Sequence, residues 1–264
     1  KPVELGKLSG AKDVRLSPDG KWAASRIDDE VQVFAIDQAF EQPVYRHPIA
    51  SENWSMQWLG SEAPRLLVGQ QVNGTDRLQW QELNLTTGVL ADSKMRLPTA
   101  VGGTGQLVEF ELARQSHKYL SMTLRSDSQR SQVSIWAIAE GTDAVRVGAE
   151  NGFDTSLLNP LAVTFSELEQ EDRQAVGTRL AILTKATASG STANSTRIFM
   201  LYDSVKQIEA GVEDPIVSYR MFEIEGAVET TDGRKLLDAA FSGDGRTLLE
   251  VDNRGVKVLL SEDW

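Results

Sequence analysis

A short hairpin motif occurs twice in the sequence, once near each end, and this repeat limits the folds that the chain can adopt. The first copy lies between apolar runs that end at Leu16 and begin at Trp22, and it reads Ser17-Pro18-Asp19-Gly20. The second copy follows Phe241 and reads Ser242-Gly243-Asp244-Gly245. Proline presets φ at the first corner, aspartate tolerates the next, and glycine supplies a positive φ after it. Each copy therefore predicts a tight turn between two antiparallel strands.

Apolar and polar residues alternate with a period of two along most of the chain, and no long amphipathic helix is predicted. Turn-forming clusters such as Asn73-Gly74 and Thr86-Thr87-Gly88 separate the alternating runs. A change of phase after Trp80 predicts a β-bulge. The runs fall into five groups, at 14–49, 54–98, 106–149, 157–226 and 237–260. The second, third and fourth groups each hold four predicted strands, including one at 94–97, and the last group holds three.

The groups recur at an interval close to the roughly 40–50 residues of one four-stranded repeat, except for a longer fourth group. Equivalent apolar positions open the five groups, namely Leu16, Trp58, Phe110, Phe165 and Phe241. The segment Pro2–Leu8 is predicted to supply the missing strand of the last group, which leaves no long sheet edge exposed. We therefore predict one all-β domain spanning 1–264. Six or seven repeats, or two unrelated hairpins in a β-sandwich, are the alternatives.

The residues that follow the first turn make this pattern similar to a known repeat. Leu-Ser-Pro-Asp-Gly-Lys-Trp-Ala-Ala-Ser at 16–25, with the strand at 31–36, resembles the repeat of TolB-type and WD40-like β-propellers. The second copy matches with its proline replaced. The same repeat forms the propeller that precedes the hydrolase domain of prolyl-oligopeptidase-like peptidases. The resemblance covers two segments and implies a β-propeller of about five four-stranded blades, with the N-terminal strand completing the last blade.

Composition excludes several kinds of partner and chemistry. The formal charge is −11, from 38 acidic and 27 basic residues without a dense basic cluster, which argues against nucleic acid and anionic membranes as partners. No run approaches the roughly 18 apolar residues of a membrane span. The absence of cysteine removes disulfides, thiolate metal sites and cysteine nucleophiles. His47 and His117 lack metal-ligand spacing. We expect no metal and no cofactor.

The sequence also lacks the common catalytic motifs. It contains no Gly-x-Ser-x-Gly nucleophile elbow and no phosphate-binding Gly-x-x-x-x-Gly-Lys-Ser/Thr. Four acids lie on or beside predicted innermost strands, namely Asp13, Glu109, Glu111 and Asp238. Such acids suit either the carboxylate pair of a five-bladed glycosidase or a water-filled channel without catalysis. We predict the channel, and no enzyme activity.

Two regions are predicted to bind a partner. The first is an acidic segment at 166–174 that departs from the repeat and carries Glu167, Glu169, Glu171 and Asp172. Insertions on the rim of a scaffold commonly carry binding loops. The second is Trp54, which is four residues from Trp58 in an extended run and so points to the same side. We expect Trp58 in the core and the Trp54 ring partly exposed as a contact for protein or sugar.

These observations favour a non-enzymatic interaction or scaffold protein with a protein partner, and the partner is expected to belong to a larger assembly. The resemblance to TolB-like domains implies a periplasmic or other extracytoplasmic location, with the cytoplasm as the alternative. Two other functions stay open: a sensing or gating propeller of a larger membrane-anchored or peptidase protein, and a five-bladed carbohydrate-active enzyme.

Overall fold

The computed structural model describes residues 8, 10–38, 40, 42–60, 63–102, 105–113, 117–126, 131–139, 141–147, 160–166, 178–184, 195–201, 221–223, 236–242 and 247–260. Over these residues the chain forms strands and one short 3-10 helix, Ile36–Gln38. The strands are β1 Ala11–Leu16, β2 Trp22–Ile27, β3 Glu30–Ala35, β4 Tyr45–Pro48, β5 Trp54–Leu59, β6 Arg65–Gln71, β7 Leu78–Asn84, β8 Val89–Asp92, β9 Gln106–Leu112, β10 Tyr119–Arg125, β11 Ser131–Ala137, β12 Val145–Val147, β13 Pro160–Ser166, β14 Thr178–Thr184, β15 Ser195–Leu201, β16 Met221–Glu223, β17 Leu236–Phe241, β18 Thr247–Asp252 and β19 Gly255–Leu260.

The chain divides into two compact units, Lys1–Phe110 and Glu111–Trp264. The first unit contains two four-stranded sheets, β1–β4 and β5–β8, each with its strands paired in chain order. Strands β9–β12 and β13–β16 form two more sheets of four, and β17–β19 form a sheet of three. The prediction of about five four-stranded blades is therefore not met: the described residues form four four-stranded sheets, and the last sheet has three strands.

The predicted pairing of the N-terminus with the last sheet stays a prediction. Of the segment Pro2–Leu8, only Leu8 lies within the described residues, and it is not part of a strand. Strand β19 pairs with β18 alone among the described strands.

The first copy of the hairpin motif forms the predicted turn, and one hydrogen bond of that turn has an equivalent at the second copy. The amide of Trp22 donates to the Ser17 hydroxyl at 2.9 Å, and the amide of Thr247 donates to the Ser242 hydroxyl at 3.0 Å. The Gly20 amide donates to the Ser17 carbonyl at 2.9 Å, and the φ of 68° at Gly20 then directs the chain into β2. Both serines therefore accept the amide of the first residue of the following strand.

The prediction of a strand at 94–97 is wrong, because the chain reverses direction at Gly88 and the fourth strand of this sheet is β8. Gly88 has a φ of 69° and its amide donates to the Asn84 carbonyl at 2.8 Å, so β8 begins at once with Val89. The residues after β8 form a loop instead. In this loop Leu97 is buried, and the Pro98 carbonyl accepts the indole N–H of Trp80 at 2.7 Å. Burial of Leu97 explains its apolar character without a strand.

The core of the first unit lies on both faces of the β5–β8 sheet. On one face Met56, Trp58, Val68 and Leu83 pack with residues of the β1–β4 sheet. On the other face the rings of Trp80 and Phe110 meet edge to face, with centroids 4.9 Å apart.

The equivalent apolar positions do not all serve the core. Trp58, Phe110 and Phe165 are buried, whereas Leu16 is 64% exposed. Phe241 is half-buried. The repeat therefore conserves an apolar position whose environment differs between sheets.

Candidate functional site

The first strands of three successive sheets bring charged residues around one cavity of about 280 Å³ within the first unit. We call this cavity the Arg15 pocket. Its lining residues are Lys12, Asp13, Arg15, Arg26, Trp54, Ser55, Val108 and Glu109. It contains two of the acids that the sequence placed on or beside first strands, Asp13 and Glu109, and also the tryptophan predicted as a contact.

An irregularity in β1 places neighbouring residues at the same cavity. The pairing of β1 with β2 shifts between Ala11 and Asp13, so Lys12 has no residue paired opposite it. A β-bulge of this kind redirects a side chain that strict alternation would send to the other face. Lys12 and Asp13 consequently both line the pocket, although they are adjacent in sequence.

Arg15 is held between two carboxylates. Its Nη2 bonds to Glu109 Oε1, and its Nε lies 3.1 Å from Asp13 Oδ1. Burial of the guanidinium opposes its charged form, but the charges and hydrogen bonds of Glu109 and Asp13 outweigh this effect and raise the pKa of Arg15 above its ordinary value. All three side chains are a third or more exposed, so each pair contributes at most about 1 kcal/mol to stability. Their principal effect is to fix the orientation of the charged groups.

Arg26 connects the β1–β4 sheet to the start of β5. Its Nη1 donates to the Trp54 carbonyl at 3.1 Å, and its Nη2 donates to the Glu52 carbonyl at 2.7 Å. Its Cζ lies 4.7 Å from the centroid of the Trp54 ring, which is the distance of a cation–π contact. The fork of a guanidinium can make these contacts at once, and an ammonium cannot.

The expectation that the Trp54 ring is partly exposed is wrong. Trp54 is 1% exposed, because its ring packs into the core between the first two sheets and Arg26 stacks against it. The other half of that expectation is confirmed: Trp58 is 4% exposed, and its indole N–H donates to the Arg15 carbonyl at 2.8 Å. A role for Trp54 in binding stays a prediction, and it concerns a buried wall of the pocket.

The remaining predicted residues are not brought into this pocket. Glu167, Glu169, Glu171 and Asp172 lie outside the described residues, so their role stays a prediction. Glu111 lies two residues beyond Glu109 on β9, and Asp238 pairs with Val251 in the last sheet.

The acid pair at Arg15 also bears on the carbohydrate-active alternative. A glycosidase needs two carboxylates that face each other across the bond to be cleaved. Here Asp13 and Glu109 both bond to the guanidinium that separates them. The observed arrangement joins them to one cation instead of leaving an open gap for a sugar.

Sequence reasoning overlooked the three cations of the pocket. Arg15 alternates with Val14 and Leu16 in a strand otherwise apolar at its end, and that pattern could have marked Arg15 as facing a polar site. No local signal could have found Arg26 or Lys12, because their positions depend on the pairing of β1 and β2.

A second cavity in the first unit, of about 320 Å³, lies among loops at the end of β6. It is lined by Asn53, Gln71, Val72, Gly74, Thr75, Asp76, Gly105 and Gln106. The Gln71 amide donates to the carbonyls of Thr75 and Gly105 at 2.8 and 3.1 Å and accepts the amide of Leu107 at 2.8 Å. The side chain of Gln71 is therefore paired with backbone groups, and it connects the loop after β6 to the start of β9.

Within the described part of the chain, no three histidine, cysteine or acidic residues are grouped so that they could hold a metal ion. His47 lies on β4, and His117 lies in the loop before β10. No helix among the described residues has the length and hydropathy that crossing a membrane requires.

No protein-family model and no curated protein matches the sequence. Among solved structures, the chain is similar to KlAtg21 in its complex with the coiled-coil of AgAtg16, with a TM-score of 0.51 and 11% identity over 96% of this chain. Hsv2 of Kluyvelomyces marxianus gives a TM-score of 0.44, with 14% identity over 96% of the chain. The WD40 domain of SCAP from fission yeast gives 0.46, with 8% identity over 91% of the chain.

The similarity to KlAtg21 shows the fold of the chain and does not show a particular function or partner. The fold is an all-β propeller, and the similar structures are WD40 β-propeller domains. The chain spans 66% of the KlAtg21 chain and 64% of the Hsv2 chain, which is less than two thirds of either.

Proposed function

We propose that this chain is a non-enzymatic scaffold of the WD40-like and TolB-like kind that binds a protein segment on the surface formed by β1. We define this β1 surface as the outer edge of β1, with the Arg15 pocket on one face of the strand and the exposed side chains of Val14 and Leu16 on the other. The observation that carries the proposal is the Arg15 pocket itself, in which charged groups are held in fixed positions by ion pairs and remain open to solvent.

The composition of the β1 surface supports a protein partner. Val14 and Leu16 are 48% and 64% exposed on the strand that also carries Arg15. Interfaces between proteins combine exposed apolar side chains with arginine at their centre and a polar surround. An arginine already held by Asp13 and Glu109 loses little conformational entropy when a partner binds.

The fold is compatible with such a partner. KlAtg21 has been solved bound to a coiled-coil, so this fold can present a surface to a protein segment. We carry over only that class of partner. The proposal also holds that 1–264 acts as one domain outside the cytoplasm, as the resemblance of its hairpins to TolB-like repeats implies.

A second candidate is a sensing or gating propeller of a larger protein. The resemblance of the hairpin motif at 16–25 to the repeat of prolyl-oligopeptidase-like propellers favours it. In that case the segment bound at the β1 surface belongs to another part of the same protein.

The test uses the purified chain as bait, with binding partners quantified by mass spectrometry. Leu16→Asp places a charge on the β1 surface at a highly exposed position, and Val256→Asp, at a position 61% exposed on β19, is the matched control. We expect Leu16→Asp to lose at least nine tenths of a bound partner that the wild type and Val256→Asp retain.

Equal recovery with Leu16→Asp and the wild type would show that the β1 surface is not the binding site. A third variant neutralises the acidic segment by Glu167→Gln, Glu169→Gln, Glu171→Gln and Asp172→Asn. Loss of the partner in this variant alone would assign binding to that segment instead.

A further inference from the structure

The Arg15 pocket has more hydrogen-bond donors than acceptors to receive them. Both carboxylates of the pocket, Asp13 and Glu109, are bonded to Arg15. Lys12 is exposed and forms no ion pair with another residue that the structure describes. Lys12 and Arg26 are therefore the charged groups of the pocket that have no carboxylate partner among the described residues.

Two buried donors beside the pocket reinforce this imbalance. Arg26 Nε and the indole Nε1 of Trp54 are buried, and neither has a hydrogen-bond partner among the described residues. Each Nη atom of Arg26 donates to a backbone carbonyl, whereas its buried Nε donates to no described residue. Leaving a buried donor unpaired costs free energy, which an acceptor at this place would recover.

The charge and size of the pocket restrict the acceptor. Three cations face two carboxylates, so the pocket carries an excess of positive charge on a chain whose formal charge is −11. A local cation attracts a single anionic group, whereas the acidic remainder repels a long polyanion such as nucleic acid. A volume of about 280 Å³ lies below the range of most cofactor sites and suits one side chain.

We propose that the Arg15 pocket receives a carboxylate of the bound protein segment, from an aspartate or glutamate side chain or from a chain terminus. Lys12 makes the first ion pair, and small movements of the pocket wall let Arg26 Nε and Trp54 Nε1 donate to the same group. This inference rests on the proposed function, because it specifies the chemistry of the segment that the β1 surface binds.

The test is isothermal titration of the full chain with three probes at low salt. These are an acetylated and amidated pentaglutamate, the corresponding pentaglutamine, and glutarate as a free carboxylate. We expect saturable binding of pentaglutamate, no detectable binding of pentaglutamine, and glutarate at least tenfold weaker than pentaglutamate. Binding of pentaglutamate should weaken as salt is raised.

Substitutions of Lys12 locate the binding site. We expect Lys12→Gln to weaken pentaglutamate binding about threefold to tenfold and Lys12→Glu more than tenfold. Lys21→Glu makes the same charge change at an exposed turn of the same sheet and should change the affinity less than twofold. Because Lys12 and Lys21 are both exposed, thermal melting should verify that each variant folds like the wild type.

Several results would overturn the inference. Equal binding of pentaglutamine would exclude the carboxylate, and equal losses in Lys12→Glu and Lys21→Glu would show only a general charge effect. Glutarate that binds as tightly as pentaglutamate would assign the pocket to a free small acid. If Lys12→Glu retains the protein partner that Leu16→Asp loses, the scaffold proposal stands and the carboxylate inference fails.

Discussion

Ser17 shows why a single residue type recurs in the hairpin motif. Its hydroxyl accepts the amide of Trp22 at 2.9 Å and donates to Asp19 Oδ1 at 2.6 Å. That donated bond lowers the pKa of Asp19, aided by the amide of Lys21 and against a small effect of burial. Because the folded pKa is the lower one, the stabilisation by this bond is present above the ordinary aspartate pKa of 3.8. It is lost as pH falls through the lowered value.

We predict that Ser17→Ala lowers the free energy of unfolding by about 1 kcal/mol, since it removes the acceptor of the Trp22 amide and the donor to Asp19. Urea denaturation at pH 7 measures the change. Ser25→Ala is the control: its hydroxyl is buried without a partner, so its removal should be neutral or stabilising. A larger loss in Ser25→Ala than in Ser17→Ala would contradict this account of the turn.

At the scale of one element, β7 shows how a strand can break its alternation without a bulge. The change of phase after Trp80 led to the prediction of a β-bulge, and that prediction is wrong. The register of β7 against β6 is continuous from Leu66 opposite Leu83 to Gln71 opposite Leu78. Trp80 and Leu83 lie on opposite faces, and each face packs against apolar residues. Burial on both faces requires apolar residues at both parities of a strand.

Gly69 is the close contact on one of these faces. A Cβ on Gly69 would lie 2.4 Å from Cζ3 of Trp80 and 3.0 Å from Cε1 of Phe110. We predict that Gly69→Ala destabilises the protein by about 1–3 kcal/mol, because two packed rings must shift. Urea denaturation again measures the change.

Gly255→Ala is the matched control, since a Cβ at that position meets nothing within 4 Å and no positive φ is needed there. It should change stability by less than about 0.5 kcal/mol. Equal stability of both variants would mean that the face carrying Trp80 and Phe110 is loosely packed.

At the scale of the whole molecule, the repeated sheets share a structural irregularity that the hairpin motif does not predict. The first strands β1, β13 and β17 each show a shift of register two residues after their start. In β1 this irregularity places Lys12 at the Arg15 pocket. Equivalent strands therefore share a register shift that redirects a side chain. The residue at this position differs from sheet to sheet.

The predicted completion of the last sheet by Pro2–Leu8 can be tested because the chain contains no cysteine. We predict that Glu4→Cys with Lys257→Cys joins in high yield through a short bismaleimide linker, since paired strands lie about 5 Å apart. Mass spectrometry of the digested protein measures the cross-link. The pair Glu4→Cys with Lys94→Cys is the control, and an equal yield in both pairs would argue against the pairing.

The amino-acid sequence alone determined most of the strands, their grouping into successive sheets and the hairpin turn at Ser17–Gly20. It could do so because these depend on period-two alternation and on turn residues such as Ser17, Asp19 and Gly20, which act within a few positions of one another. The same local reasoning placed Asp13 and Glu109 on first strands and Trp58 in the core.

Only the tertiary structure decided the chemistry of the site. Arg15 meets Glu109 across 94 positions of sequence, and Arg26 covers Trp54 from another sheet, so both the ion pair and the burial of that ring depend on sheets packing together. Register and packing between distant strands set such contacts, and no local pattern carries that information. The sequence thus named the acids of the pocket, while the folded chain supplied the cations that face them.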